Sequence, residues 1–229
     1  MTAPTSLEQA RFNMIEQQIR PWDVLDLDVL GLLSLVRRED FVPAAHKAIA
    51  FVDMQIPLLG SGDDSMQSGW CMLEPKVEAR LLQDLHVKRS DVVLEVGAGS
   101  GYMAALLAAR AERVISLELN GDLARLARAN LQKAGVANVD VREADGSKGL
   151  AGEGPFDVIL LSGSVAEVPP ALLAQLKIGG RLAAIVGEEP VMRATFITRT
   201  GESAYTTTQP WDTLAPRLAK FHEPSRFTF

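Results

Sequence analysis

Residues 91–120 read DVVLEVGAGSGYMAALLAARAERVISLELN, and the remainder of the chain can be arranged around them. The segment opens with a short β-branched apolar run of strand length, Val92, Val93, Leu94 and Val96. A glycine turn follows, Gly97-Ala-Gly99-Ser-Gly101. Tyr102 to Ala111 is rich in alanine and leucine, which favour helix. A second apolar run, Val114 to Leu119, carries an acid, Glu118, near its end. Strand, glycine turn, helix, strand and acid form the first unit of a doubly wound nucleotide-binding sheet. The acid stands about 20 residues after the first glycine, where a carboxylate can accept both ribose hydroxyls.

The glycine spacing selects the nucleotide. A dinucleotide fingerprint has its third glycine three places after the second, and Tyr102 stands there. The pattern is instead E-x-G-x-G-x-G, with Glu95, Gly97, Gly99 and Gly101. That form resembles motif I of the class I S-adenosylmethionine-dependent methyltransferases. The resemblance implies S-adenosyl-L-methionine as cofactor, bound by the turn Gly97, Ala98, Gly99, Ser100 and Gly101 and by Glu118 and Leu119. Glycines let the backbone approach the methionine portion, and Glu95 can help hold the turn and the ligand's ammonium group.

Beyond Glu118 the α/β rhythm repeats. A helix from Gly121 to Ala134 is stopped by Gly135, and Val139 to Val141 begins a third strand ending in Ala144-Asp145-Gly146. Asp145 can accept the adenine amino group while Gly146 leaves room for the ring, since ligands lie at strand carboxyl ends; a plain Asp-Gly turn is the other reading. Phe156 to Leu161 reads as a fourth strand with Ser162-Gly163-Ser164 at its tip. Val168-Pro-Pro170 opens a helix through Lys177, and Arg181 to Val186 reads as a fifth strand. Ala194 to Thr200 and Ala204 to Trp211 form a closing hairpin, which fits a Rossmann-like, seven-stranded, mostly parallel α/β sheet with helices on both faces. The tail from Leu214 carries no pattern.

Ahead of the core lies a helical extension. Ser6-Leu-Glu-Gln9 fits a capping box, and its helix should run to Arg20, where Pro21 stops it, with Phe12, Ile15 and Ile19 buried. A second helix is expected over Asp26 to Val36 and a short one after Pro43 through Ala50. Residues 55–70 show no period and read as a loop, a place for a cover over the cofactor. Pro75 starts a helix with Val77, Leu81, Leu82 and Leu85 on one face. The whole is expected to be one methyltransferase domain, with helices and substrate loop over 1–90, the cofactor core over 91–190 and a hairpin and tail over 191–229.

Composition narrows the partners. A formal charge of −6 over 229 residues argues against a broad nucleic-acid footprint, which needs a basic face. The single cysteine, Cys71, cannot form an internal disulfide, and no signal peptide or membrane-length apolar run is present, so a cytoplasmic protein with no membrane partner is expected. His46, His86 and His222 lack ligand spacing, so no metal site is expected. Oligomeric state is not legible.

Three stretches are similar to the protein-L-isoaspartate O-methyltransferase family. They are Met14 to Ile19 with Val29-Leu30 and Arg38-Glu-Asp-Phe-Val-Pro43; Val168-Pro-x-x-Leu172-x-x-Gln175-Leu-Lys-x-Gly179-Gly-Arg-Leu182; and Asp145-Gly146. The resemblance implies methyl transfer to the carboxylate of damaged aspartyl residues in proteins or peptides, a protein-repair role. One departure stands out. The family's substrate loop reads approximately T-I-S-x-P, its serine beside the accepting carboxylate, and Pro75 aligns it with Cys71-Met72-Leu73-Glu74-Pro75. Leu73 has no hydroxyl to offer, and Glu74 adds negative charge where an anionic acceptor would dock. These two predict weak or absent isoaspartyl turnover and leave open a small-molecule acceptor, or a cofactor-binding adaptor without turnover. No catalytic acid or base is needed, because an ionised carboxylate is already a nucleophile and methyl transfer asks chiefly for alignment.

Overall fold

The computed structural model describes residues 5–60 and 62–223. Its amino-terminal part is helical. Helix α1 (Ser6–Met14) is capped one residue earlier than expected, because Thr5 accepts the Glu8 N–H while the Glu8 carboxylate reaches back to the Thr5 backbone. The continuation to Arg20 is a π-turn, Ile15–Ile19, and a 3₁₀ turn, Arg20–Trp22, carries the chain past Pro21. The extra residue in a π-turn rotates the buried stripe. Phe12 is therefore 58% exposed, and Met14 joins Ile15 and Ile19 in the core. Helix α2 (Leu27–Leu35) starts at Asp26, which accepts the N–H of Asp28 and Val29, as expected. After Pro43 the chain forms a 3₁₀ segment, Ala44–Ile49.

Residues 55–70 are more ordered than their composition suggests. Strand β1 (Ile56–Pro57) pairs antiparallel with β2 (Cys71–Met72), and a short helix, α3 (Gly62–Gln67), lies between them. Ser65 holds the unit together. Its fully buried hydroxyl accepts the N–H of Leu58 and Leu59 at 3.1 and 3.2 Å and donates to the Trp70 carbonyl at 2.5 Å. Helix α4 (Pro75–Leu85) then buries Val77, Leu81, Leu82 and Leu85, the face its spacing predicts.

The main sheet contains β3 (Val92–Val96), β4 (Arg113–Glu118), β5 (Val139–Glu143), β6 (Phe156–Val165), β7 (Leu176–Glu188), β8 (Val191–Arg199) and β9 (Tyr205–Thr213). Their order is β5-β4-β3-β6-β7-β8-β9, parallel from β5 to β7 and antiparallel across β8 and β9. Helices α5 (Tyr102–Ala108) and α6 (Gly121–Lys133) follow β3 and β4. The expected helix through Lys177 is only α7 (Pro170–Leu173), because Leu176 already pairs with Phe156 in the ladder.

Side chains alternate across the sheet. Val93, Val158, Leu160, Ala183 and Ile185 face one core, which also takes the buried sides of α4, α5 and α6. Leu94, Ile159, Leu161, Leu182 and Ala184 face the other, closed by Leu172 of α7 and by Leu218 and Phe221 of the tail. The chain leaves β3 toward β4 and β5, then returns to place β6 on the other side of β3. A crevice at the strand carboxyl ends follows from that reversal.

Candidate active site

A cavity of about 460 Å³ opens at this crevice, within the usual range for small-molecule sites. Its floor is the turn after β3. Gly97, Gly99 and Gly101 have φ of +96°, +52° and +84°, a backbone path that side-chain-bearing residues rarely adopt. Glu118, at the end of β4, fixes the turn by accepting the Gly99 N–H at 2.9 Å, and its other oxygen accepts the Asn120 N–H at 3.0 Å. A carboxylate has about four lone-pair sites. Two are thus committed, and two remain for the hydroxyls of a ribose.

Gly97, Gly99, Glu118, Leu119, Asp145 and Gly146 all line this cavity. Asp145 is exposed there, and the Ser147 N–H holds its carboxyl below the usual range. Gly146 also has a packing reason for being glycine. A Cβ there would lie 2.4 Å from Val96 Cγ1, so close packing onto β3 requires it. The donor set and the volume fit a nucleoside-bearing cofactor.

Glu95 lies elsewhere. It is fully buried behind the turn, lines neither this cavity nor its small neighbour, and accepts Ser116 Oγ at 2.6 Å and Ser162 Oγ at 2.8 Å. Burial pushes its carboxyl up to about 7 against those two hydrogen bonds. The expected direct hold on a ligand's ammonium is therefore replaced by a link from β4 to the tip of β6. Ala98 and Ser100 also stay off the cofactor cavity, and Gly101 packs on α6, where a Cβ would come within 3.1 Å of the Ala127 carbonyl.

A small neighbouring cavity is lined by Cys71, Met72, Leu73, Ala98, Ser100 and Ser162, among others. Leu73 is 6% exposed, and its carbonyl accepts Arg38 Nη2 at 2.7 Å. Arg38 is itself fully buried and paired with Glu78, so the R-x-x-F-V-P step clamps the substrate loop. Glu74 lines neither cavity; Gln55 bonds its Oε1 at 3.3 Å, and burial raises its carboxyl. The charge expected beside the acceptor is turned aside. The Cys71 thiol is pushed up to about 12 by burial, which makes it inert as a nucleophile.

Of three further parts of the wall, the loop lies where a cover over the cofactor is expected, and the other two carry no signal in the sequence. Trp70 and Gly69 come from the loop, Ser162 from the tip of β6, and Arg217, Leu218 and Phe221 from the tail. Ser162 is aimed at the site by a register shift between Leu160 and Ser164, where β6 bulges out of its ladder with β7. Gly163 lets the tail in. A Cβ there would lie 2.8 Å from the Leu218 side chain and 3.0 Å from the Pro216 carbonyl. Among the described residues no cluster of His, Cys, Asp or Glu could hold a metal, and no helix is long and apolar enough to cross a membrane.

Comparison with known proteins agrees with this geometry. Residues 9–212 match the family model described as protein-L-isoaspartate(D-aspartate) O-methyltransferase. A protein-L-isoaspartate O-methyltransferase of Koribacter versatilis is 39% identical over 194 residues, 85% of this chain and 82% of that one. One from Methanoculleus marisnigri is 39% identical over 177 residues, 77% of each chain. Among solved structures, a Plasmodium falciparum protein described as a protein-L-isoaspartate O-methyltransferase in complex with S-adenosyl-L-homocysteine superposes with a TM-score of 0.75 at 20% identity. That match covers 95% of this chain and 100% of the other, and it speaks to the fold.

Proposed function

The chain belongs to the protein-L-isoaspartate(D-aspartate) O-methyltransferase family, and from that membership together with its site we infer that it methylates the free carboxylate of isoaspartyl residues in proteins or peptides. It is an S-adenosylmethionine-dependent methyltransferase. The observation that carries the reading is Glu118 at the cavity wall, tying the glycine turn while keeping acceptor capacity. When bound, the cofactor would supply a sulfonium methyl group, which a carboxylate oxygen would take with its lone pair while sulfur kept the electrons of the broken C–S bond.

We assign Glu118 to the ribose and Asp145 to the adenine amino group, with Gly97 and Gly99 letting the backbone approach the methionine portion. Glu95, Ala98, Ser100 and Gly101 act behind the turn, as its support. Met72, Leu73 and Glu74 shape the substrate loop, and none of them donates a hydrogen bond to the acceptor from its side chain. Catalysis in this reading is alignment in a closed site, worth several orders of magnitude without any acid or base. The reading places the reaction in the cytoplasm, consistent with a lone free cysteine.

The test is methyl transfer from radiolabelled S-adenosylmethionine to an isoaspartyl peptide, beside a panel of small carboxylic acids and a no-acceptor control. Label in the peptide alone is expected. Label in a small molecule alone would move the acceptor to another class. Tighter binding of NAD than of S-adenosylmethionine would overturn the cofactor as well.

A further inference from the structure

Cys71, Gly97, Gly99 and Ser162 line both the cofactor cavity and the small cavity beside Leu73. Methyl transfer joins a cofactor to an acceptor, so the reacting atoms belong where those two spaces meet. Ser162 stands there against the glycine turn: a Cβ on Gly97 would lie 3.7 Å from Ser162 Cβ. The residue is partly exposed rather than sealed. The other polar side chains on the small cavity are engaged elsewhere. Glu78 is an acid paired with Arg38, and the Cys71 thiol donates to Gln55 Oε1 at 3.6 Å. Ser100 accepts the Tyr102 N–H at 3.3 Å and lies off the cofactor cavity. Ser162 is thus the hydroxyl that borders both spaces.

Its partner behind the turn decides where the hydroxyl proton points. Ser162 Oγ lies 2.8 Å from Glu95 Oε1, and Ser116 Oγ lies 2.6 Å from Oε2. Glu95 is fully buried, and the charged groups that act on it, Glu118 at the end of β4 and Glu78 on α4, are both acids. A buried carboxyl without a cation takes up a proton rather than keep its charge. It then has one O–H to donate. Ser116 is fully buried, and its hydroxyl bonds Glu95 alone among the described residues. Ser162 has the cavities on its other side. Donation from Glu95 to Ser162 Oγ therefore frees the Ser162 proton to turn into the site, where an anion is its strongest acceptor. The same site lacks the hydroxyl that the family's T-I-S-x-P loop would supply, because Leu73 occupies that place.

We propose that Ser162 Oγ donates to the acceptor's carboxylate, supplying from the tip of β6 the hydroxyl that residue 73 lacks, with Glu95 as the positioning residue behind it. This rests on the isoaspartyl reading above. One carboxylate oxygen is held by the Ser162 O–H, and the other stays free as the nucleophile. Acceptor binding is thereby coupled to a proton. Where Glu95 is ionised, the acceptor's charge draws a proton from solvent onto Glu95, and the Ser162 hydroxyl turns from Glu95 to the acceptor.

Calorimetry with saturating S-adenosylhomocysteine tests this, using an isoaspartyl peptide and its counterpart with a carboxamide in place of the accepting carboxylate. The natural protein should bind the carboxylate peptide at least about tenfold tighter than the amide. In Ser162→Ala that ratio should fall to within about threefold, with S-adenosylhomocysteine affinity unchanged within about twofold. Ser162→Thr keeps the hydroxyl and should keep the preference. Titrations at about pH 8 in buffers of different ionisation enthalpy read the proton. The natural protein should take one up as the carboxylate peptide binds, whereas Glu95→Gln, whose amide donates at any pH, should bind the peptide without uptake. Absence of uptake by the natural protein would overturn the coupling to Glu95. An unchanged ratio in Ser162→Ala, or equal weakening of both peptides, would overturn the proposal alone. Loss of S-adenosylhomocysteine binding in both Ser162 variants would place the residue on the cofactor and overturn it too. If the natural protein binds neither peptide, the isoaspartyl reading falls and the proposal falls with it.

Discussion

The two halves of the site are built in different ways. The cofactor half comes from one contiguous segment, 92–146, in which each strand delivers its ligand-facing residue at its carboxyl end. The rest of the cavity wall, the side on which the acceptor is proposed to dock, is assembled from three pieces distant in sequence: the loop at 68–71, Ser162 at the bulged tip of β6, and the tail at 217–221. A contiguous half depends on local backbone geometry. An assembled half depends on tertiary contacts, and it can exchange one contributor for another without disturbing the cofactor.

Glu95 joins the halves, since it bonds Ser116 on one side and Ser162 on the other, and its replacement should have the largest effect. Its carboxyl titrates near 7 in the fold against a reference value of 4.5, because burial favours the protonated form. The folded chain therefore holds this proton more tightly than the unfolded chain. Stability should be highest below about 4.5 and decline as pH rises through about 7, by on the order of 3 kcal/mol from this group. Urea melts of the natural protein and of Glu95→Gln between pH 5 and 8 read the difference (a range of about 3 units). A slope identical in both would remove Glu95 from this role.

Glu118→Ala strikes the cofactor half alone. It removes charge-assisted hydrogen bonds worth about 1.5–3 kcal/mol, or roughly ten- to hundredfold in S-adenosylhomocysteine affinity. Calorimetry showing unchanged affinity would break the assignment. Ser65→Ala is its counterpart in the acceptor half. It strips the Leu58 and Leu59 N–H groups and the Trp70 carbonyl of one shared partner, at a cost of about 1–2 kcal/mol. Thermal melts should show the loss, and the peptide KM should rise while S-adenosylhomocysteine affinity stays constant. If cofactor affinity fell as well, the separation of the two halves would not hold.

This division also explains what the sequence could disclose. The strand, turn, helix and acid of residues 92–118 are local patterns with fixed spacing, and the sheet they announce is the one observed. Phe12 was misplaced because a π-turn shifts the helical stripe by one residue, a change that periodicity at 3.6 cannot show. Ser65 carries no signal in the sequence, because its three partners are set by a two-residue ladder too short to carry a pattern. Ser162 and Arg217 escaped for a further reason: the first is aimed by a bulge, and the second reaches the site only because Gly163 leaves room for the tail. Glu95 was legible as a motif member, yet its burial behind the turn depends on the two serines that flank it.

The central claim is that an isoaspartyl carboxylate is accepted at a site whose residue 73 contributes no hydroxyl. The direct measurement is kcat/KM for an isoaspartyl peptide and its normal aspartyl counterpart, with the natural protein and with Leu73→Ser. The account predicts base-labile methyl ester on the isoaspartyl peptide only, with the serine changing kcat/KM by less than about threefold, under 1 kcal/mol. Absence of ester with the natural protein, or a gain of about tenfold or more from the serine, would contradict it.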